Sequence, residues 1–385
     1  MTGVLLAIYL NSIGWDVRRT GLLVSVGLAG SACGTLVTSL GADRFGRRRT
    51  LILLGLLNVL GGLSLLWAQS AGILLVAAFF GMINGLGRDR GPAYALDQAL
   101  LAETVSSDRR TFALAWYNLI LDAALALGSL LAGVPFLLRH HWGWQPGASY
   151  QAAWGLYTAL SLLSAGTYAL VSSRVEVSSA AGNAWGLRGV APDSRPRIFK
   201  LAMLTGMDSL GGGFLTSALV SFWFFRRFGI GEELLGPLYA GARVANAISH
   251  LVAAWLARRI GLLNTMVFTH IPSSLFLMSV PFAPTFGWAV VFFLLREGLV
   301  EMDVPTRQSY ILAVVRPVER TFASRITTLT RNIAYATAPA VAGAAMRSVA
   351  LASPLFIGGG IKILYDLLLY TSFRRVKPPE ESPGA

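Results

Sequence analysis

Cysteine occurs once in the 385 residues, at Cys33, and histidine four times. One thiol cannot close an intrachain disulfide, so a disulfide framework and a cysteine-built metal site are both excluded. Charge is also scarce. Asp, Glu, Lys and Arg make up 13% of the chain, against about 25% in soluble domains. Acidic residues are the scarcer kind, 19 against 32 cations, for a formal net charge of +13. No Gly-rich phosphate loop ending in Gly-Lys-Ser/Thr occurs, which leaves ATP-driven pumping without support. No nucleophile–base pair or metal-ligand cluster is found either, so neither an enzyme nor a bound cofactor is expected. What the chain has instead is 54% hydrophobic residues, 41 glycines and a mean hydropathy of +0.59. That composition excludes a disordered or nucleic-acid-binding chain despite the pI near 10.4. It describes an integral membrane protein.

A helix crosses the hydrocarbon core with about 20 mostly apolar residues. Such runs fall at Gly21–Leu40, Leu51–Ala68, Ile73–Leu101, Thr111–Leu138, Tyr150–Ser172, Ile198–Phe225, Leu234–Ala257, Thr265–Ala283, Phe286–Val315, Phe322–Met346 and Ser353–Ser372. The start, Met1–Asn11, is apolar but too short to cross alone, and it lacks the basic flank of a signal peptide. Residues 173–197 are polar and carry Gly182, Gly189, Pro192 and Pro196, the composition of a linker. The expected organisation is an N-terminal transmembrane half (1–172), a cytoplasmic linker (173–197), a C-terminal transmembrane half (198–373) and a solvated tail (374–385).

The two halves repeat one another. Gly14, Gly21, Gly46 and Thr50 recur 215 residues later as Gly229, Gly236, Gly261 and Thr265. Gln98 and Arg110-Thr111 recur 210 residues later as Gln308 and Arg320-Thr321. A constant offset over several motifs is the signature of an internal duplication. Under it, the span opening near Ile198 maps upstream of Met1, so the reading is two pseudo-symmetric six-helix halves with a shortened first helix, all-α throughout.

Cytoplasmic loops of membrane proteins are enriched in Lys and Arg. Placing the Arg44–Arg49 loop inside collects nineteen loop cations on that side against six on the other. Linker and C-terminus are then cytoplasmic, and a plasma or cell inner membrane location is expected.

Between spans two and three stands Asp43-Arg44-Phe45-Gly46-Arg47-Arg48-Arg49, preceded at the proper distance by the small residue Ser39. This loop resembles the signature loop of the major facilitator superfamily, a small residue and then Asp-Arg-x-Gly-x-Arg-Arg after three residues. A degraded copy follows in the second half, Ala257-Arg258-Arg259-Ile260-Gly261, with Arg258 in place of the Asp. The resemblance covers essentially the whole chain and implies a twelve-helix, alternating-access transporter. It also implies a cytoplasmic gating role for Asp43, Arg44, Gly46 and Arg48, with Arg47 and Arg49 anchoring the loop to anionic headgroups. Asp43 is expected to accept hydrogen bonds from a helix N-terminus, where the dipole favours an anion. The family's antiporter run in helix five is incomplete here, reading Gly128-Ser-Leu-Leu-Ala-Gly133-Val-Pro135.

Charges inside the spans cost at least about 2.5 kcal/mol each on insertion scales, so they should face one another or a wet cavity. Span four carries Arg88, Asp89, Arg90 and Asp97; span ten carries Arg296, Glu297, Glu301, Asp303 and Arg307. On a continuous helix Arg296, Asp303 and Arg307 would share one face and Glu297 with Glu301 another. The resemblance places spans one, four, seven and ten around the central cavity, making these residues the substrate and coupling candidates. Asp208 joins them, ahead of Gly211-Gly212-Gly213, a run able to unwind span seven. Asp122, Arg243 and Arg331 complete the set. Lys362 and Asp366, four apart on span twelve, read as an intrahelical ion pair, and His250 and His270 as isolated packing residues. His140-His141 lies beside Trp142 and Trp144, which read as interface aromatics. Gly30-x-x-x-Gly34 and Gly81-x-x-x-Gly85 are helix-packing spacings.

The expected function is secondary transport of a small organic solute, proton-coupled through cavity carboxylates, with the paired arginines favouring an anionic or zwitterionic substrate. Expected partners are the solute, protons and the lipid bilayer, with no nucleic acid and a monomeric chain. A multidrug or metabolite efflux antiporter of the same fold, or a non-transporting membrane sensor or scaffold, are the alternatives.

Overall fold

The computed structural model describes residues 1–67, 70–87, 89, 91–106, 109–172, 176, 191–303, 307, 310, 315–316 and 319–374. Arg88 and Arg90 fall outside them. Among the described residues, helix is the only extended regular structure. In chain order the helices are α1 (Thr2–Ser12), α2 (Val17–Phe45), α3 (Arg47–Trp67), α4 (Ala71–Gly81), α5 (Gly91–Thr104), α6 (Arg110–Leu130), α7 (Val134–Trp142), α8 (Pro146–Ala169) and α9 (Arg195–Phe214). There follow α10 (Ser217–Phe228), α11 (Glu232–Ile260), α12 (Leu262–Ser279), α13 (Phe286–Val300), α14 (Arg320–Ser348) and α15 (Ser353–Phe373). Prolines open α8, α9 and α15, in the first turn where a missing N–H costs nothing. Large apolar side chains such as Trp67, Leu170 and Phe282 are more than 70% exposed. In water that would be unfavourable, and it suits a surface facing lipid.

The duplication is visible in local structure. α2 and α11 are both 29 residues long, and shifting Val17–Phe45 by the repeat offset lands on Glu232–Ile260. Each is closed by the repeated glycine in a positive-φ conformation, Gly46 at 101° and Gly261 at 87°. The repeated threonines then cap the turn alike: Thr50 Oγ1 donates to Gly46 O and Thr265 Oγ1 to Gly261 O, both at 2.8 Å.

Among the described residues, five stretches are long and apolar enough to cross a bilayer: Val17–Phe45, Arg47–Trp67, Trp116–Trp142, Leu262–Phe282 and Ser353–Phe373. Spans four, seven and ten are interrupted among the described residues, and span five passes through a tighter turn at Leu131–Gly133. Span four breaks between α4 and α5, where Met82, Gly85 and Gly87 adopt φ of 55°, 66° and 76°. The exposed backbone there is satisfied by a buried asparagine, Asn58, whose Nδ2 donates to Gly81 O at 2.9 Å and Asp89 O at 3.2 Å. Span seven breaks at Leu215–Thr216, after the glycine run rather than within it. Span ten leaves α13 at Val300.

Contacts divide the chain into two compact units. The first comprises Met1–Ala184, Thr216–Ala240 and Pro339–Arg347. In it α3 packs along α8, with Gly55 against Ala165 and Gly62 against Thr158. α2 lies on α4, where Gly30 meets the Phe79 carbonyl. Gly34 faces Pro92, so both glycines of that spacing serve packing; Gly81 abuts Gly61, but Gly85 lies in the break of span four. A core of Leu51, Leu54, Met82, Ala93, Leu96 and Leu100 fills this unit. The second unit comprises Trp185–Leu215, Gly241–Ala338 and Ser348–Ala385. Its core gathers Ile198, Leu201, Leu204, Met266, Val267 and Tyr310 with Tyr365, Leu369 and Phe373.

Candidate functional site

The second unit holds a buried polar cluster, and glycine packing creates it. A Cβ on Gly211 of α9 would meet the Gly358 carbonyl of α15 at 3.0 Å, and one on Gly358 would meet the Gly211 carbonyl at 2.9 Å. The two helices therefore touch backbone to backbone, which only small residues permit. Gly211–Gly213 remain helical and are used for approach: Gly212 faces the Tyr335 hydroxyl and Gly213 faces Ala338. The expected unwinding at these glycines does not occur, because helix packing, not a cavity, claims them.

Asp208 lies one turn before Gly211 and Lys362 one turn after Gly358. In this antiparallel pairing they meet, with Lys362 Nζ donating to Asp208 Oδ1 at 2.8 Å. The other oxygen is taken by span ten, where Arg307 Nη1 donates to Asp208 Oδ2 at 2.7 Å and to Asp303 Oδ2 at 2.8 Å. Arg307 and Asp303 thus keep the one-turn spacing read from the sequence. α12 adds His270, with Nε2 3.2 Å from Lys362 Nζ and Nδ1 3.0 Å from the Asp366 carboxylate. Asp208, His270, Asp303, Arg307, Lys362 and Asp366 are all under 9% exposed. At the rim, half-buried Arg331 of α14 donates from Nε to Ser209 Oγ at 3.1 Å.

Two expectations are corrected here. Lys362 and Asp366 do not pair with each other: each turns to another helix, and His270 stands between them. His270 is not an isolated packing residue but links α12 to both. Asp208, His270 and Asp303 bring ligand atoms within 4.8 Å of one another. Lys362 and Arg307 already occupy both Asp208 oxygens, however, and an ammonium and a guanidinium together disfavour a divalent ion there.

Elsewhere on span ten, Arg296 pairs with its neighbour Glu297 and not with Asp303. Glu297 is buried, and Glu301 lies beyond the end of α13, so the continuous-helix faces do not extend across Val300. Arg243 is half-buried in α11 and Asp122 half-buried in α6.

In the first unit Asp89 is 6% exposed in the break of span four. Its carboxylate accepts from Thr2 Oγ1 at 2.7 Å, from the Asn84 N–H at 3.0 Å and from the Tyr157 hydroxyl at 3.4 Å. Asp97 of α5 accepts from the Tyr168 hydroxyl of α8 at 2.8 Å and from Tyr117 of α6 at 3.4 Å.

The signature loop also differs in detail from expectation. Asp43 is paired with Arg47, Nε to Oδ1 at 2.7 Å, while the N-terminus of α3 is capped by Glu176. Its two carboxylate oxygens accept from the Arg47 and Arg48 N–H groups at 2.7 and 3.2 Å. The Arg48 guanidinium donates to the Ala169 carbonyl at the end of α8. Arg44 is exposed, and Gly46 turns the chain at φ 101°. The anion at the helix dipole is thus supplied from the linker; a lone Glu in a polar stretch gives no spacing signal for it.

A family model, described as the Major Facilitator Superfamily, matches residues 1–339. The chain belongs to this superfamily. A curated relative, the uncharacterized membrane protein YJR124C of Saccharomyces cerevisiae, is 24% identical over 97% of this chain and 90% of its own length. Among solved structures, a nucleoside transporter, NupG (a mutant form), superposes with a TM-score of 0.77 at 11% identity, covering 97% of this chain and 94% of that one. A D-xylose-proton symporter superposes at 0.73 with 16% identity, covering 99% and 94%. The xylose transporter XylE of E. coli in its inward open conformation gives 0.73 at 14% over the same shares. At these identities the structures speak for the fold. Superfamily membership makes the chain a multi-pass membrane transporter rather than an enzyme.

Proposed function

We propose that the chain is a proton-coupled secondary transporter of a small anionic or zwitterionic organic solute. It works by alternating access in the plasma membrane, with linker and C-terminus in the cytoplasm. The observation that carries this reading is the Asp208 carboxylate, held between Lys362 at 2.8 Å and Arg307 at 2.7 Å inside the membrane-spanning part of the second unit.

Stability alone does not call for such an arrangement. Replacing a buried ion pair by well-packed apolar residues is often neutral, or stabilising by about 1–4 kcal/mol. A site that exchanges partners does call for it. A solute carboxylate or phosphate presents the same acceptor geometry as Asp208, so it can take over the Lys362 ammonium and the Arg307 fork. The carboxylate it displaces must then be protonated or re-paired, which ties solute binding to a proton. Asp43, Arg48 and Gly46 gate the cytoplasmic side, with Arg47 and Glu176 holding that loop in place.

The test is solute exchange in proteoliposomes with a pentose, a nucleoside, an amino acid, a dicarboxylate and a quaternary ammonium ion. Exchange of an anionic or zwitterionic member, lost in Arg307→Gln protein that elutes and unfolds normally, supports the reading. Exchange of the quaternary ammonium ion alone, unaffected by Arg307→Gln, points instead to an efflux antiporter.

A further inference from the structure

We infer that His270 carries the coupling proton, and that taking it up expels Lys362 from its place between His270 and Asp208. This inference rests on the proton-coupled reading above and assigns the atom on which that proton sits.

An ammonium group has three donors and no acceptor. The 3.2 Å contact from Lys362 Nζ to His270 Nε2 therefore requires Nε2 to present its lone pair. A neutral imidazole with a bare Nε2 carries its proton on Nδ1, and Nδ1 lies 3.0 Å from the Asp366 carboxylate, which accepts it. With Lys362 as the ammonium and Asp366 ionised, the partners on either side assign a neutral His270 protonated at Nδ1.

The same contacts make two states mutually exclusive. When a proton binds Nε2, a new N–H bond forms where Lys362 was donating, and two donors face each other. The ammonium must leave, while Nδ1–H stays on Asp366 and the imidazolium is neutralised by that carboxylate. One proton enters from outside the cluster and none is lost, so the step balances. Lys362 holds Asp208 Oδ1 at 2.8 Å with the same ammonium that contacts His270. Displacing that ammonium therefore loosens Asp208 and frees a cation for an anionic solute group.

The charged groups facing the ring take opposite sides in this exchange: Asp208 favours a charge on it, while Lys362, Arg307 and Arg296 oppose one. Asp208 Oδ1 on α9 is 3.9 Å from Nε2 and becomes a direct partner for the imidazolium once Lys362 moves. Asp366 on α15 anchors Nδ1, and the Tyr365 ring meets the imidazole edge-on at 6.1 Å. From span ten, Arg307 and Arg296 act on the ring through space. Each is itself compensated, Arg307 by Asp208 and Asp303 and Arg296 by Glu297.

The test reads the ring directly. The full chain contains four histidines, so 15N-histidine NMR of protein in lipid nanodiscs resolves few signals, and His270→Gln assigns one by its disappearance. The expected result is an Nδ1–H tautomer for His270 that converts to imidazolium on acidification, over the pH range in which the wild-type chain moves protons with a solute. Asp366→Asn is expected to lower the imidazolium fraction about tenfold or more, the effect of removing an adjacent opposite charge. In proteoliposomes, the pH profile of exchange is expected to be flattened by His270→Gln.

An Nε2–H tautomer, or a ring that stays neutral over that range while the wild-type chain moves protons with a solute, would overturn the assignment and leave proton coupling standing. Solute exchange with no proton movement in the wild-type chain would remove the reading on which it rests.

Discussion

Lys362 donates to Asp208 on another helix at 2.8 Å, although Asp366 stands one turn along its own helix at the spacing where ion pairs form. The choice follows from backbone packing. Gly211 and Gly358 bring α9 and α15 into contact, and Asp208 then lies within hydrogen-bond distance of the ammonium. Asp208→Asn leaves Lys362 and Arg307 without their shared counter-ion, and a destabilisation of about 3–5 kcal/mol is expected, as for other broken buried pairs. Combining it with Lys362→Met should recover part of the loss, since residues of one network are not additive. Denaturant unfolding of the two single variants and the double variant in detergent measures the coupling.

Gly358→Ala tests the packing that builds the site. Its Cβ would lie 2.9 Å from both the Gly211 carbonyl and Leu215 Cγ, so α15 must move away from α9. A cost of about 1–3 kcal/mol is expected, together with reduced solute exchange because Lys362 and Asp208 separate. Gly360→Ala, where an added Cβ meets nothing within 4 Å, is the control and should leave both stability and exchange near wild type.

Much of this fold is legible in the sequence, because hydrophobic length and the 215-residue offset are strong, local signals. The offset pairs Gly46 with Gly261 and Thr50 with Thr265, and the structure adds that the helices they close have equal length. The helix breaks were less visible. Met82 takes φ 55° with no glycine at its position, and the apolar run Ile73–Phe80 leads straight into it. The site was half legible. Asp208, Asp303 and Arg307 stand out as charges in apolar runs, and Arg307 does sit one turn from Asp303. His270 and Lys362 carry the same signal, but their sequence neighbours suggest only packing and an intrahelical pair. Their partners lie 92 to 154 positions away, and only tertiary packing decides whether a buried Lys turns to its own helix or to another.

Glu176 is expected to hold the start of α3. Glu176→Gln removes the charge from a cap made by two backbone N–H groups, and a local loss of about 1 kcal/mol follows from the cost of weakening a helix cap. Amide hydrogen exchange at Arg47 and Arg48 should speed up about fivefold, as 1 kcal/mol dictates, while amides in α15 stay unchanged.

Glu232 and Arg139 form a second clasp within the first unit. Glu232 opens α11, its side chain 2% exposed, and accepts from the Arg139 guanidinium of α7. Arg139 also donates to Ser149 Oγ at 3.1 Å and lies 5.3 Å from the Tyr150 ring centre. Glu232→Ala strands that guanidinium, and a loss of about 2–3 kcal/mol is expected, as for removal of a charged hydrogen-bond partner. Arg139→Lys keeps the charge but not the planar fork and should fall between wild type and Glu232→Ala in thermal unfolding.

The measurement that bears most directly on proton-coupled transport through the Asp208 cluster is solute-evoked proton movement in proteoliposomes carrying an internal pH dye. Wild-type protein should acidify or alkalinise the lumen only when an anionic or zwitterionic solute is added, and Asp208→Asn protein that is folded and inserted should not. Solute accumulation with no proton signal, or an undiminished signal in Asp208→Asn, would contradict it.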